Sequence, residues 1–376
     1  MFNFFKRVFS CSSDFKNLKN IKMAYVLAAF PTLSQTFVVN ELRWLKHNGY
    51  DVKVFSFSNP EMPVDLDFDL EIIHFDSDDL LGNLEKLLIE HKIELIHTHF
   101  VYPVGTLFTF PVSQKLKIPF TLFAHAADIF KYEIDKINKI SEVTNSEYCK
   151  GIFTLSEFHK NYLIDRGVPS NKIIITKQAT NYEIEPITLN DNKTKSIVSI
   201  SRFVEKKGLD DLIDIAKILE NENYTFSIYG FGDLEEELRA KIEKLNLNNI
   251  SIKGRLNGSK EVKKVLKEAD LLVSPCKRGS DGDLDGFPTV VFEAMGYGTP
   301  ILTTAVSAIP EVIIDGVNGF IVESNNKEAF ALKIKEIMSL SREDILKIVT
   351  RAQKDVQNES SVEMTMEKLI EIWGGI

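Results

Sequence analysis

The chain has 376 residues, of which 44% are apolar and 26% charged, and a formal net charge of −9. Such a length exceeds one ordinary domain and sets two as the expectation. The acidic balance speaks against broad nucleic-acid binding but not against local basic sites, and no apolar run approaches the ~20 residues of a membrane-spanning helix.

The chain opens on "MFNFFKRVFS", with Phe2, Phe4, Phe5 and Phe9 around Lys6 and Arg7. The stretch is too short and broken for a signal peptide. Aromatic rings beside cations suit the headgroup boundary of an anionic membrane, so residues 1–21 read either as an interfacial anchor or as an extension packed on the domain or left disordered. Cys11, Cys149 and Cys276 have no metal or disulfide spacing, which suits a reducing compartment.

From there strands and helices alternate. "KMAYVLAAF" (22–30) is a buried strand, followed by a helix over 34–50 that Ser34 or Thr32 would cap. Strands are expected at 51–58, 93–100, 119–126, 151–156 and 172–177, with helices at 79–92 and 157–167. Residues 180–196 are polar and without period, a linker. The alternation then restarts, with strands at 196–202, 224–230, 249–254, 269–276, 300–304 and 319–324 and helices at 208–222, 233–245, 259–269 and 288–297. Such a pattern predicts an α/β protein of two Rossmann-like domains, each with a parallel sheet, over 22–190 and 191–350. Residues 351–376 are expected to form a helix that returns to the first domain. Two such domains facing across a cleft would line it with strand C-terminal ends, where open α/β sheets bind ligands.

The polar and glycine clusters fall at those ends. "SRFVEKKG" (201–208) carries Arg202 and Lys207, and "YGFGD" (229–233) places Gly230 and Gly232 where a backbone can approach a ligand closely. In "DGDLDGFPTVVFEAM" (281–295) a helix begins near Pro288, so Gly286 and Phe287 stand at the positive end of its dipole. A diphosphate there would meet backbone N–H groups and two cations, and Glu293 could accept the hydrogen bonds of ribose hydroxyls. Asp281, Asp283, Asp285 and Gly286 also resemble the opening of a calcium loop. The twelfth position, however, is Phe292 rather than the bidentate Glu such a loop requires.

These segments resemble the metal-independent, retaining glycosyltransferases of the GT-B fold, the "glycosyl transferases group 1" family, over nearly the whole chain from about residue 22. The most specific part is "GFPTVVFEAMGYGTPILTT", which is similar to the family's acidic pair. Here the first member is Asp285, one methylene shorter than the usual Glu, and the second is Glu293. The resemblance implies that Arg202 and Lys207 grip the donor diphosphate and that Asp285 faces the donor sugar. It further implies that Glu293 holds the ribose and that His125 of "HAADI" (125–129) approaches the sugar. Gly230, Gly232, Arg255, Gly286, Phe287 and Pro288 complete the expected donor site. The family's glycine-rich first loop is replaced by "FPTLSQTF" (30–37), as in enzymes resembling the colanic acid and amylovoran transferases. His97 and His99 of "LIHTHF" share one strand face and fit zinc only with a third ligand, which the neighbouring sequence does not signal; they read as structural. Asp281 and Asp283 receive no role.

The resulting expectation is an EC 2.4 enzyme that moves a sugar from a UDP- or GDP-sugar to a saccharide or lipid-linked saccharide in cell-surface polysaccharide assembly. It would retain configuration and need neither a metal nor a cofactor. The expected setting is the cytoplasm, at the inner face of the membrane if the N-terminal segment binds there, with no nucleic-acid partner. A sugar-nucleotide epimerase of the same fold is the alternative enzyme. A calcium-binding or ligand-binding two-domain protein is the alternative outside enzymes, and one of periplasmic type would need a cleavable signal peptide.

Overall fold

The computed structural model describes residues 18–32, 35–60, 64–133, 136–179, 184, 186–190, 193–359 and 361–376. The basic, aromatic segment 1–17 and the expected cap Ser34 lie outside them. The chain divides into two compact units: 1–181 together with 360–376, and 182–359.

The first unit is built on seven parallel strands: β1 (Met23–Ala29), β2 (Val52–Ser58), β3 (Ile72–His74), β4 (Leu95–His99), β5 (Phe120–Phe123), β6 (Cys149–Thr154) and β7 (Ile173–Ile175), in the order β3-β2-β1-β4-β5-β6-β7. Met23 pairs with Val52 on one side and with Leu95 on the other, so the strand order reverses between β1 and β4. That reversal is the place where ligands sit in doubly wound sheets. Helix α1 (Thr36–His47) buries Phe37, Val38, Glu41, Leu42 and Leu45, an i, i+4 stripe with one carboxylate in it. Its N-cap is Gln35, which makes no side-chain cap bond. α2 (Leu80–Glu90) is capped by Asp79, whose carboxylate accepts from the Gly82 N–H.

Residues 101–116, to which the sequence pattern assigns no element, are helical. Widened turns over Val101–Thr109 run into α3 (Phe110–Leu116), and the free Val101 N–H is met by Asp128 at 2.8 Å. α4 (Ile140–Asn145) and α5 (Glu157–Ile164) follow. The C-terminal helix Val362–Gly374 completes the core of this unit, burying Val362, Met366, Leu369, Ile370 and Trp373 beside Tyr25, Leu27 and Leu42. Thr365 and Lys368 donate to the carbonyls of Lys177 and Ile175.

The second unit repeats the architecture with six parallel strands: β8 (Lys195–Ile200), β9 (Tyr224–Tyr229), β10 (Ile250–Gly254), β11 (Leu271–Ser274), β12 (Ile301–Thr304) and β13 (Phe320–Val322), in the order β10-β9-β8-β11-β12-β13. Its helices are α6 (Leu209–Ile218), α7 (Glu235–Lys244), α8 (Ser259–Glu268), α9 (Thr289–Tyr297), α10 (Lys327–Ser339) and α11 (Arg342–Glu359). Two apolar layers, one on each face of the sheet, bury Leu212, Ile228 and Phe330 on one side and Val291, Met295 and Val356 on the other. α11 runs to Glu359 within this unit, so residues 351–359 do not join the returning helix as the sequence reading had them. Among the described residues no helix is long and apolar enough to cross a membrane.

Candidate active site

In the second unit the strand order reverses between β8 and β11, and the loops leaving these two strands meet. Residues 201–208 turn tightly after β8. Gly208 has φ +64°, and a Cβ there would lie 1.9 Å from the Pro275 carbonyl oxygen, so only glycine lets the two loops touch. The Lys277 N–H donates to the Lys206 carbonyl at 2.9 Å. The glycine turn after β9 is fitted to the same segment: the Phe203 N–H donates to the Phe231 carbonyl at 2.7 Å, and a Cβ on Gly230 would meet the Ser201 carbonyl at 1.8 Å. Arg255, just past β10, lays its guanidinium over the Phe231 ring at 5.1 Å.

The carboxylates of 281–285 are held by this loop. Lys207 bonds Asp285. Lys206, buried, pairs with Asp283 at 2.9 Å and Asp285 at 3.5 Å and donates to the Leu284 carbonyl at 3.2 Å. The Cys276 thiol donates to Asp285 at 3.3 Å. Burial alone would raise the Asp285 carboxyl, but Lys207 and Lys206 bring it down to about 2. Burial likewise works against a charged Lys207, yet Asp285 leaves its pKa raised, while the nearby Arg202 opposes it. Burial and the Asp285 charge push the Cys276 thiol up to about 12, so it is inert as a nucleophile.

Asp281 accepts from the Asp283 N–H at 3.0 Å and shapes its own turn. The two aspartates without an assigned role therefore build the loop. Against the calcium reading, the carboxylates of Asp283 and Asp285 are paired with lysine ammoniums.

Arg202 is exposed, and its side chain has no hydrogen-bond or ion-pair partner among the described residues. Pro288 is the N-cap of α9 rather than its first helical residue, and Gly286 and Phe287 lead into it as expected. Glu293, on the second turn of α9, is half-buried and also lacks a hydrogen-bond or ion-pair partner among the described residues. Burial raises its carboxyl to about 7. A half-buried carboxyl left unpaired costs stability unless a ligand meets it.

His125 lies in the first unit, after β5. Asp128 accepts from its backbone N–H at 3.1 Å and from that of Ala126 at 2.9 Å, which fixes the loop. Its ring is walled by Phe37, Phe100 and Phe123, with centroids 4.6–4.7 Å away. Its Nε2 is 2.9 Å from His99 Nδ1, and His99 Nε2 is 3.0 Å from Glu41 Oε2. His97 bonds Thr121 at 2.8 Å, and Thr121 also receives the Trp373 indole N–H at 3.0 Å. His99 is therefore tied to the expected functional histidine, while His97 is tied to the fold, a split the sequence reading did not make. Glu41 was missed altogether. It lies close enough to His97 and His99 for all three to offer ligand atoms within 4.8 Å, so a third candidate exists where the sequence signalled none. As the side chains stand, Glu41 and His99 are bonded directly to each other.

Two family models match: the one described as "Glycosyl transferases group 1" over residues 181–355 and "Glycosyltransferase Family 4" over 34–178. The amylovoran biosynthesis glycosyltransferase AmsK of Erwinia amylovora is 27% identical, the match covering 94% of this chain and 99% of that protein. The putative colanic acid biosynthesis glycosyltransferase WcaL of Escherichia coli is 28% identical over 66% of this chain and 62% of its own. Among solved structures, Anabaena HepE in complex with UDP and glucose superposes with a TM-score of 0.76 at 16% identity, covering 95% of this chain and all of that one. A glycosyltransferase from Rickettsia africae gives 0.74 at 18% identity over 95% and 98%. Two Rossmann-like units, the strand-end cluster of the second and these matches agree: the chain is a glycosyltransferase of the GT-B fold and belongs to the glycosyl transferases group 1 family.

Proposed function

We propose that the enzyme moves a sugar from a UDP- or GDP-sugar to a saccharide or lipid-linked saccharide hydroxyl, with retention of configuration and without a metal, in the assembly of a cell-surface polysaccharide. The observation that carries this reading is the second unit's strand-end cluster: exposed Arg202 and half-buried Lys207 in the loop after β8, and on α9 a half-buried Glu293 without a hydrogen-bond or ion-pair partner among the described residues. A nucleoside diphosphate offers phosphate oxygens to the cations and ribose hydroxyls to the carboxylate. AmsK and WcaL, named for amylovoran and colanic acid biosynthesis, support the polysaccharide assignment, and the UDP bound to HepE supports the donor class.

The hard part of the reaction is the departure of the nucleoside diphosphate, whose negative charge grows in the transition state. Arg202, Lys207 and the N-terminal end of α9 are the chain's own means of stabilising it, and preorganised charge of this kind is commonly the largest catalytic term. Lys207 is bonded to Asp285 and Lys206 backs the same carboxylate, so Lys207 can turn to phosphate while Lys206 keeps Asp285 ionised. Asp285 then accepts from a hydroxyl of the donor sugar. His125 is assigned to a substrate hydroxyl. Retention and the same-face role of the departing phosphate come from the family resemblance. The membrane setting rests on the sequence of residues 1–17.

Thermal unfolding with a panel of UDP-, GDP- and ADP-sugars tests the donor class. A donor at about 100 times its dissociation constant adds roughly 2.7 kcal/mol of stability. Release of nucleoside diphosphate only when an acceptor saccharide is present separates transfer from epimerisation.

A further inference from the structure

One chain of buried hydrogen bonds in the first unit runs inward from His125. Tyr25 Oη donates to Glu41 Oε2 at 3.1 Å, His99 Nε2 lies 3.0 Å from that same oxygen, and His99 Nδ1 lies 2.9 Å from His125 Nε2. β1, α1, β4 and the loop after β5 supply one residue each, so packing fixes the spacing. The chain ends on His125 Nδ1, which is buried and has no hydrogen-bond partner among the described residues.

The geometry points to a proton relay in which Glu41, acting through His99, sets whether His125 Nδ1 presents a lone pair or an N–H to a substrate hydroxyl. With Glu41 ionised, Oε2 accepts from Tyr25 and from His99 Nε2–H. His99 Nδ1 then accepts from His125 Nε2–H, and His125 Nδ1 is a lone pair. A proton arriving at His125 Nδ1 reverses every bond. The Nε2 proton of His125 passes to His99 Nδ1, and the Nε2 proton of His99 passes to Glu41 Oε2. One proton has entered, both imidazoles end neutral, and the charge lost is that of Glu41. His125 and His99 are thus positioned as a neutral conduit, with Glu41 and His99 as positioning residues. The inference rests on the reading above only in giving His125 a substrate hydroxyl.

The surroundings favour this route over an imidazolium. Burial holds His125 well below the usual histidine range, and His99 and His159 add like-charge repulsion. Burial also brings His99 down to about 3. Glu41 is raised to about 7 by burial, which His97 and Tyr25 partly offset. Asp128, which holds the His125 backbone, is raised to about 6 by burial. Among the groups facing the chain from β1, α1, β4, α5 and the loop after β5, only Glu41 is both within it and poised to change charge near neutrality.

The test uses the full chain labelled with 15N at histidine and long-range 1H–15N correlations, which distinguish the two neutral tautomers and the cation, between pH 5.5 and 8.5. His99 and His125 are expected to stay neutral and to exchange Nε2–H for Nδ1–H together as pH falls through about 7. The exchange should be absent in Glu41→Gln. In Tyr25→Phe its midpoint should move upward, because the carboxylate loses a donor. A single tautomer throughout, protonation of either ring to the cation, or a switch that survives Glu41→Gln overturns the relay. So does one tightly bound zinc per chain that removes the pH dependence, which would make Glu41, His97 and His99 a metal site. Should Glu41→Gln not fold, an unmoved midpoint in Tyr25→Phe overturns it alone. The spectra are read without substrate, so failure of the donor reading does not move them, and failure of the relay leaves donor binding untouched.

Discussion

Lys207 and Asp285, expected to meet different parts of a sugar nucleotide, are bonded to each other. Lys206 stands 3.5 Å from the same carboxylate. This pairing separates the two cations of the proposed phosphate site. Arg202→Ala removes an exposed side chain without a hydrogen bond among the described residues, so stability should stay within about ±0.5 kcal/mol. Lys207→Ala strips a buried carboxylate of one counter-ion. The usual cost of that is about 3–5 kcal/mol, and the remaining Lys206 should hold it to roughly 1–3. Both variants should lose at least about tenfold in kcat/KM, the equivalent of one charge-assisted bond to phosphate. Chemical denaturation beside donor kinetics checks this, and near-normal turnover of Arg202→Ala would remove it from the phosphate site.

Activity should survive EDTA and need no added magnesium or manganese. In the proposed site Arg202, Lys207 and the α9 N-terminus supply the positive potential for the leaving group, and the carboxylates of Asp283 and Asp285 are paired with lysines. Loss on chelation that one divalent ion restores would mean that the 281–285 loop gives up its lysines to a metal.

The Glu293 carboxyl, at about 7 through burial, makes nucleotide binding depend on pH in a definite direction. Ribose hydroxyls donate, so they bind the ionised form, and binding must expel the proton held below pH 7. Affinity for a nucleoside diphosphate should therefore rise by roughly tenfold from pH 6 to pH 8 beyond any change owed to the phosphates themselves. The extra rise should vanish in Glu293→Gln. Calorimetry in two buffers of different ionisation enthalpy reads the released proton directly, and equal pH profiles for the two proteins would contradict the ribose role.

Trp373 closes the first unit from the far end of the chain, with its indole N–H on Thr121 and its ring against Tyr25 and His97. Trp373→Ala should cost about 3–5 kcal/mol, as a large buried aromatic does when truncated. Trp373→Phe keeps most of the volume and should cost about 1–2 kcal/mol for the lost bond and shape. Denaturant melts of the two variants check the difference.

The architecture was legible because parallel strands buried on both faces are continuous apolar runs, as at 22–30, 151–156 and 269–276. The misses have physical causes. β3 is three residues at a sheet edge within an aspartate-rich stretch, and the helical turns of 101–116 carry Pro103, Gly105 and Pro111, which a period-based reading takes as breakers. In the candidate site, Arg202, Lys207 and Glu293 stand out in the sequence by their place after strands or on the following helix. Lys206 looks like its neighbour in the sequence, yet it is the one buried against Asp283 and Asp285. Glu41 left a signal that went unread: with Phe37 and Leu45 it keeps an i, i+4 spacing, which puts a carboxylate on the apolar face of α1. Its bond to His99 spans 58 residues, and no local pattern encodes that distance.

The central claim is that the second unit holds a nucleoside diphosphate through Arg202 and Glu293. Calorimetric titration of the wild type, Arg202→Ala and Glu293→Gln with UDP and GDP at pH 8 tests it most directly. The account predicts that one of the two nucleotides binds the wild type and that each variant weakens it by about tenfold, or roughly 1.4 kcal/mol. Binding of neither nucleotide, or equal affinity in all three proteins, would contradict it.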